Sequence, residues 1–333
     1  MKILVGALTP AGYRRGRCYG PMNLRLGVNV SDQPVAVSSE TLPYVVLDVF
    51  TDRPYAGNPL AVVMDGENLT TDQMQRMARE FNLSETAFPL RPNESERVAG
   101  ADYVLRIFTP EVELPFAGHP SVGSAWWLAQ TGRIETGTVN QLCGEGLLPL
   151  EVSEHSATLT GGEARVGEPV RPEAALLAVG LDTSALADPE VRVASTGRGY
   201  AVLFVKPEYI ARCRPDMQVL KAEFSHPHEA TGVYVVAWDA STRHAQARMF
   251  AGDIGSPEDP ATGSAALALG ARLVAGGEFA DGRTTFTIDQ GVEIGRPSRL
   301  SVTCDVHAGR AESLQVSGGA VLVSQGVIAI PII

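Results

Sequence analysis

Two octapeptides in this chain are close copies of each other: GHPSVGSA at residues 118–125 and EDPATGSA at residues 258–265. His119 aligns with Asp259, Pro120 with Pro260, Gly123 with Gly263, Ser124 with Ser264 and Ala125 with Ala265, each pair 140 positions apart. Each copy runs from a Pro/Gly loop into good helix formers, SAWWLAQ in one and SAALALGARL in the other. The strands before them also match, Arg106 and Phe108 being echoed by Arg248 and Phe250. A repeat on this scale confines the fold to two related units, each with a helix at its centre.

The totals agree. A chain of 333 residues is long for one hydrophobic core, and 44% hydrophobic with 20% charged residues is the balance of a folded globular protein. A net charge of −11 argues against nucleic acid or an anionic membrane as partner. It leaves room for a small anionic ligand, because backbone donors bind anions locally. Cys18, Cys143, Cys213 and Cys304 are scattered without ligand-like spacing, so neither structural zinc nor a disulfide framework is expected. No apolar run approaches the ~20 residues needed to span a bilayer, and a cytoplasmic location is expected. Up to Ser31 the chain holds Lys2, Arg14, Arg15, Arg17 and Arg25 and no acid. That stretch reads as an unstructured extension or an overlong start, with Met22 an alternative first residue, in preference to a targeting segment.

Ordered pattern begins at Tyr44. YVVLDVF and LAVVM read as strands joined by the turn-rich TDRPYAGNP. Thr70 or Thr71 can cap a helix with Met74, Met77, Ala78 and Phe81 on one face, ending near Asn82. SETAF and YVLRIF are further strands, and the two repeats predict helices over 121–130 and from about Ala261. The middle and the tail are rich in short strands with glycine punctuation. Regular β–α–β alternation is absent, so an α+β class is expected and a doubly wound sheet is not. No G-x-G-x-x-G follows a strand, which removes the usual dinucleotide signature.

The first turn of a helix exposes unpaired N–H groups and a positive dipole end. If the two units face each other, both tips point at one ligand and can grip a carboxylate without Lys or Arg. His119 and Asp259 then bring titratable groups from opposite walls. Glu85 in NLSETAF, where a helix gives way to an apolar strand, is the candidate proton acceptor, since a carboxylate drawn out of water has its pKa raised. Taken alone, a glutamate at such a junction is usually just solvated. Bland readings suit His226 and His228 (a surface loop) and Trp126 and Trp127 (packing, one at an interface). Arg106 and Arg248 are expected to pair with acids such as Glu113 or Asp253.

The motifs DVFTDRPYAGNPLAVV, NLSETAF, RIFTPEVELPFAGHPSVGSA, GSPEDPATGSAA and DQGVEIGRPSRL, in this order, resemble the PhzF-like family within the diaminopimelate-epimerase-like superfamily. The resemblance spans nearly everything from Tyr44 to Ile330. It implies two similar pseudo-symmetric α+β domains, each a curved mixed sheet around a central helix: 43–165 with the C-terminal strand 319–333, and 166–318, after an extension over 1–42. It also implies a homodimer, no metal and no coenzyme. Glu85, His119 and Asp259 fall on the family's catalytic positions, while Ser84, Gly118, Gly263 and Ser264 are expected to bind substrate. LCGEGLLPL departs from the pattern, with Leu142 and Cys143 in place of Glu and Thr. Superfamily epimerases use two cysteines, one per repeat, and none of the four lies in either loop here.

Three functions follow from this reading. The leading one is isomerisation of a small cyclic or unsaturated carboxylic acid by proton transfer, as with trans-2,3-dihydro-3-hydroxyanthranilate. A coenzyme-free epimerase or racemase of a small amino or hydroxy acid is the second, and a non-catalytic binder of small acids the third.

Overall fold

The computed structural model describes residues 40–225, 230–252 and 257–333. The first half carries β1 (Thr41–Val49), β2 (Asn58–Val63), α1 (Thr71–Phe81), β3 (Glu85–Leu90), α2 (Glu94–Val98), β4 (Tyr103–Phe108), β5 (Glu113–Leu114), α3 (Gly118–Gln130), β6 (Gly137–Cys143), β7 (Gly146–Val152) and β8 (Ala157–Thr160). The second half carries β9 (Arg165–Val170), α4 (Pro172–Ala178), β10 (Val191–Ser195), β11 (Gly199–Phe204), α5 (Met217–Glu223), β12 (Val233–Asp239), β13 (His244–Phe250), β14 (Glu258–Asp259), α6 (Gly263–Ala275), β15 (Gly282–Gln290), β16 (Ser298–His307) and β17 (Arg310–Gly318). The last strand, β18 (Ala320–Ala329), returns to pair antiparallel with β1.

The strand pairing repeats step for step. In the first half β1–β2 is antiparallel, β2–β3 parallel, β3–β4 and β4–β5 antiparallel, β4–β6 parallel, and β6–β7 and β7–β8 antiparallel. In the second half β10–β11, β11–β12, β12–β13, β13–β14, β13–β15 and β15–β16–β17 follow the same sequence of senses. Even the outer strand is matched, since β18 stands against β1 as β9 stands against β10. β8 pairs with β17 and joins the halves into one mixed sheet, and Ser38–Ile333 form one compact unit.

This topology corrects the spacing of the sequence repeat. Phe108 faces Glu113 across β4–β5, and Phe250 faces Glu258 across β13–β14. Glu113 and Glu258 are therefore equivalent, at a spacing of 145, and the two helices start in step at Gly118 and Gly263. The partner of His119 is then Ser264, and that of Asp259 is Leu114, in place of the expected His119–Asp259 match. Both octapeptides contain G-S-A, but Gly123 lies well inside α3 whereas Gly263 opens α6.

Local chemistry explains the helices. Thr70 and Gln73 form a reciprocal capping box on α1, and Asn82 ends it in the left-handed conformation at φ 50°, both as expected. α3 starts three residues earlier than its expected 121, because Pro120 fits a first turn whose N–H groups have no helical partner. α6 is buried at every residue from 263 to 274 except Ser264, and is apolar apart from Ser264 and Arg272, which pairs with Asp188. It packs on β9, β10, β11, β16 and β17, while α3 packs on β1, β2, β3, β7, β8 and β18. Gly123 permits that approach: a Cβ there would lie 2.7 Å from Val49 Cγ2 and 2.8 Å from Leu60 Cδ2. Among the described residues, no helix is long and apolar enough to cross a membrane.

β1 begins at Thr41, slightly ahead of Tyr44. The expected extension up to residue 39, with Cys18 and Met22, lies outside the described residues, as do His226, His228 and Asp253. Trp126 and Trp127 are half-buried against the core.

Candidate active site

The site is built where strand starts and helix starts meet. β2 and β3 run parallel, with Leu60 opposite Glu85, so Asn58 and Ser84 lie side by side at their beginnings. The Ser84 hydroxyl reaches Asn58 Oδ1 at 3.5 Å. α3 brings Gly118 and His119, β14 brings Asp259, and α6 brings Gly263 and Ser264. A Cβ on Gly118 would lie 3.7 Å from both Gly263 Cα and Ser264 N, so the two helix tips meet. All seven expected site residues are accounted for by these junctions.

Asn58, which sequence reasoning passed over as a turn residue, ties the cluster together. It is fully buried, and its Nδ2 lies 2.8 Å from Asp259 Oδ1, 2.9 Å from Ala261 O and 3.2 Å from His119 Nδ1. Its own loop is held from the second half. The buried Asp48 carboxylate accepts the Tyr55 N–H at 2.7 Å and pairs with Arg296, whose guanidinium also donates to Gly57 O and Ala56 O. Gly57 is obligatory in this turn: it has φ 68°, and a Cβ would stand 2.3 Å from Val49 O.

His119 is 6% exposed and Glu85 16%, with His119 Nε2 3.6 Å from Glu85 Oε2. Neither of those two atoms has a hydrogen-bond partner. Buried polar atoms are nearly always paired, so two orphans facing each other mark a place for a reacting group. Burial raises the Glu85 pKa, opposed by its hydrogen bond with Ser84 and by the charge of Arg198. Burial lowers His119 to about 4, the Asp259 charge opposing. Asp259 is pushed up to about 6, again by burial first, with His119 opposing and Glu85 adding to the rise. At neutral pH the imidazole is therefore uncharged. The Thr262 hydroxyl and the Asn58 amide are both spent on Asp259.

The helix tips differ from the starts of α1, α2 and α5 in one respect that matters here. α1 and α2 are closed by capping boxes, whereas neither Ala117 before α3 nor Thr262 before α6 caps its helix with a side chain. First-turn N–H groups are thus left for an anionic ligand. Ser264 is oriented by Tyr200, whose buried hydroxyl lies 2.7 Å from Ser264 Oγ. Tyr200, like Asn58 and Arg296, was not singled out by the sequence. Its only signal would have been its place in β11, the strand equivalent to β2.

Arg106 pairs with Glu113 as expected, and Arg248 pairs with Glu258 at 2.6 Å, Asp253 lying outside the described residues. Among the described residues no three His, Cys, Asp or Glu side chains are grouped to hold a metal. Cys143, Cys213 and Cys304 are free buried thiols and none falls within either loop; burial raises Cys213 to about 11 and Cys304 to about 12.

Comparison with known proteins fits this geometry. Residues 47–326 match the phenazine biosynthesis-like protein family, PhzC-PhzF. An uncharacterised isomerase of Mesorhizobium japonicum is 38% identical over 86% of this chain and 98% of its own. The trans-2,3-dihydro-3-hydroxyanthranilate isomerase of Pseudomonas aeruginosa is 35% identical over 85% of this chain and 98% of its own. A crystal structure of a PhzF-family protein from Bacillus anthracis superposes with a TM-score of 0.75 at 26% identity, covering 87% of this chain and all of that one. By its matched length, its relatives and its repeated fold, the chain belongs to the phenazine biosynthesis-like (PhzF) family of isomerases.

Proposed function

We propose that this isomerase moves a proton between two carbons of a small cyclic or unsaturated carboxylic acid, of the kind named for its relative in Pseudomonas aeruginosa. The observation that carries this reading is the pair of orphaned buried atoms, Glu85 Oε2 and His119 Nε2, facing each other across 3.6 Å. Two uncapped helix starts stand beside them.

In this mechanism the substrate carboxylate lies against the amides around Gly118 and Gly263, with the Ser264 hydroxyl completing its hydrogen bonds. Ser84 keeps the Glu85 carboxyl in place. Ionised Glu85 takes a proton from the carbon next to the unsaturation, and the C–H electron pair shifts the double bond along the chain of conjugation. Glu85, now neutral, returns the same proton to a second carbon on the same face. Proton count and charge are conserved, and no coenzyme enters the step. Asp259 and His119 hold the amino or hydroxyl substituent. A positioned acid/base group contributes about 10²–10⁴-fold, so orientation in the cleft must supply the rest. The inequality of the two tips favours one-sided chemistry, since the counterpart of His119 is Ser264 and, with Phe108 matched to Phe250, that of Glu85 is Gly232.

We further propose that 43–165 with 319–333 and 166–318 are the two repeated domains, and that the protein works as a cytoplasmic homodimer. The test of the mechanism is solvent deuterium incorporation into substrate. Glu85→Gln should abolish it while ligand affinity changes less than about threefold, and turnover unchanged in Glu85→Gln would remove Glu85 from the mechanism.

A further inference from the structure

We propose that Asn58 is a positioning residue that fixes His119 in the Nε2–H tautomer, so that a neutral imidazole presents its proton toward Glu85 and the reacting group. The inference rests on the functional reading above for the meaning of that proton, but the tautomer itself can be read without turnover.

The orientation of the Asn58 amide follows from its neighbours. The carboxylate oxygen of Asp259 at 2.8 Å and the carbonyl of Ala261 at 2.9 Å are both acceptors, so the atom facing them must be the NH2 group. Turned the other way, Asn58 Oδ1 would meet two acceptors in a buried site. The same Nδ2 stands 3.2 Å from His119 Nδ1. The two amide hydrogens face three acceptors, so the longer contact to Nδ1 is one branch of a three-centre bond; an Nδ1–H would be aimed at a donor, which leaves Nδ1 with its lone pair and the single proton of neutral imidazole on Nε2. That atom has no partner and lies 3.6 Å from Glu85 Oε2, itself unpartnered.

The position of Asn58 is rigid. It opens β2, directly after the turn that Arg296 of the second half grips through Asp48, Ala56 O and Gly57 O. Gly57 N–H also donates to Pro297 O at 3.1 Å. The amide therefore registers Asp259 of one half against His119 of the other. With the tautomer fixed, His119 donates and Glu85 accepts, so the two groups do not compete for one role.

The test uses full-length, ¹⁵N-labelled protein and two-bond ¹H–¹⁵N correlation of the histidine rings at neutral pH. His119 is assigned by the signal that vanishes in His119→Gln. The wild type should show a neutral ring protonated at Nε2. In Asn58→Asp the new carboxylate accepts from Nδ1, so the ring should change to the Nδ1–H form or the imidazolium. With it kcat should fall about 10²–10⁴-fold, as a misplaced histidine proton does in serine proteases, with KM within about threefold. A wild-type ring protonated at Nδ1 or at both nitrogens overturns the proposal. So does an Asn58→Asp protein that keeps the Nε2–H form and its kcat. Should Asn58→Asp not fold, the wild-type spectrum decides alone. Wild-type protein with the Nε2–H ring but no deuterium incorporation into any small acid would defeat the isomerase mechanism and leave the tautomer assignment standing.

Discussion

The two halves use one scaffold to do unequal work. Each has an arginine on its long strand, over a phenylalanine two residues on, paired with a glutamate on the short strand before its central helix. In the first half this pair, Arg106–Glu113, is 25% and 37% exposed; in the second, Arg248–Glu258 is 6% and 6% exposed. Glu258 adjoins Asp259, and Arg248 further donates to Ile210 O and Cys213 O. The half that supplies Asp259 thus fixes its short strand with a buried pair. The half that supplies Glu85 and His119 leaves the equivalent pair at the surface. The strand order is the same in both halves, and the proposed chemistry falls unequally on them.

Making one half copy the other tests that division, and the largest effect is expected at the helix tips. His119→Ser, which gives α3 the residue that α6 carries in Ser264, should lower kcat by about 10²–10⁴-fold; retention of more than half the turnover would mean that the tips are interchangeable. Next in size is the contrast between the ion pairs. Arg248→Met removes the cation of a buried pair and should destabilise by about 3–5 kcal/mol, whereas Arg106→Met should change stability by about 0–1 kcal/mol. Equal urea midpoints for the two variants would contradict the burial difference.

Gly123→Ala copies Ala268, its counterpart at the 145 spacing. It should destabilise by about 1–3 kcal/mol in thermal or urea unfolding, because Val49 and Leu60 have to move. A neutral substitution would show that α3 has slack against β1 and β2.

The smallest effect is in pH. Asp259 has its pKa raised from 3.8 to about 6, so its contribution to stability is present below about pH 4 and is lost as pH rises through about 6. For His119 the folded value is lowered from 6.5 to about 4, so its contribution is present above about pH 6.5 and is lost as pH falls through about 4. Leu114, the counterpart of Asp259, does not titrate. Asp259→Asn should therefore raise the Tm of unliganded protein at pH 8, the gap over wild type narrowing toward pH 4. A gap that widens on acidification would reverse the sign.

Local signals carried much of this fold. Thr70, Gln73 and Asn82 mark the ends of α1 because capping is decided within a few residues. Glu85, His119 and Asp259 were visible because each sits at a strand–helix junction in a distinctive motif. What stayed hidden depends on long-range pairing. Asn58 has the same neighbours in sequence as any turn asparagine, and its importance lies in Asp259 and Ala261 about two hundred residues away. Arg296 gives no sign of Asp48. The repeat itself was legible, but identity at G-S-A set its spacing at 140. Strand register moves it to 145, because Phe108 and Phe250 each fix which glutamate stands opposite.

The return of β18 to β1 has a consequence for how the molecule is made. Thr41 stands opposite Ala329, so β1 leaves the ribosome before the whole second half and waits for β18, which follows it. β9 to β17, by contrast, find their in-half neighbours within one continuous segment. The first half is therefore completed only after the half that follows it, and β1 keeps one flank open while the second half is made.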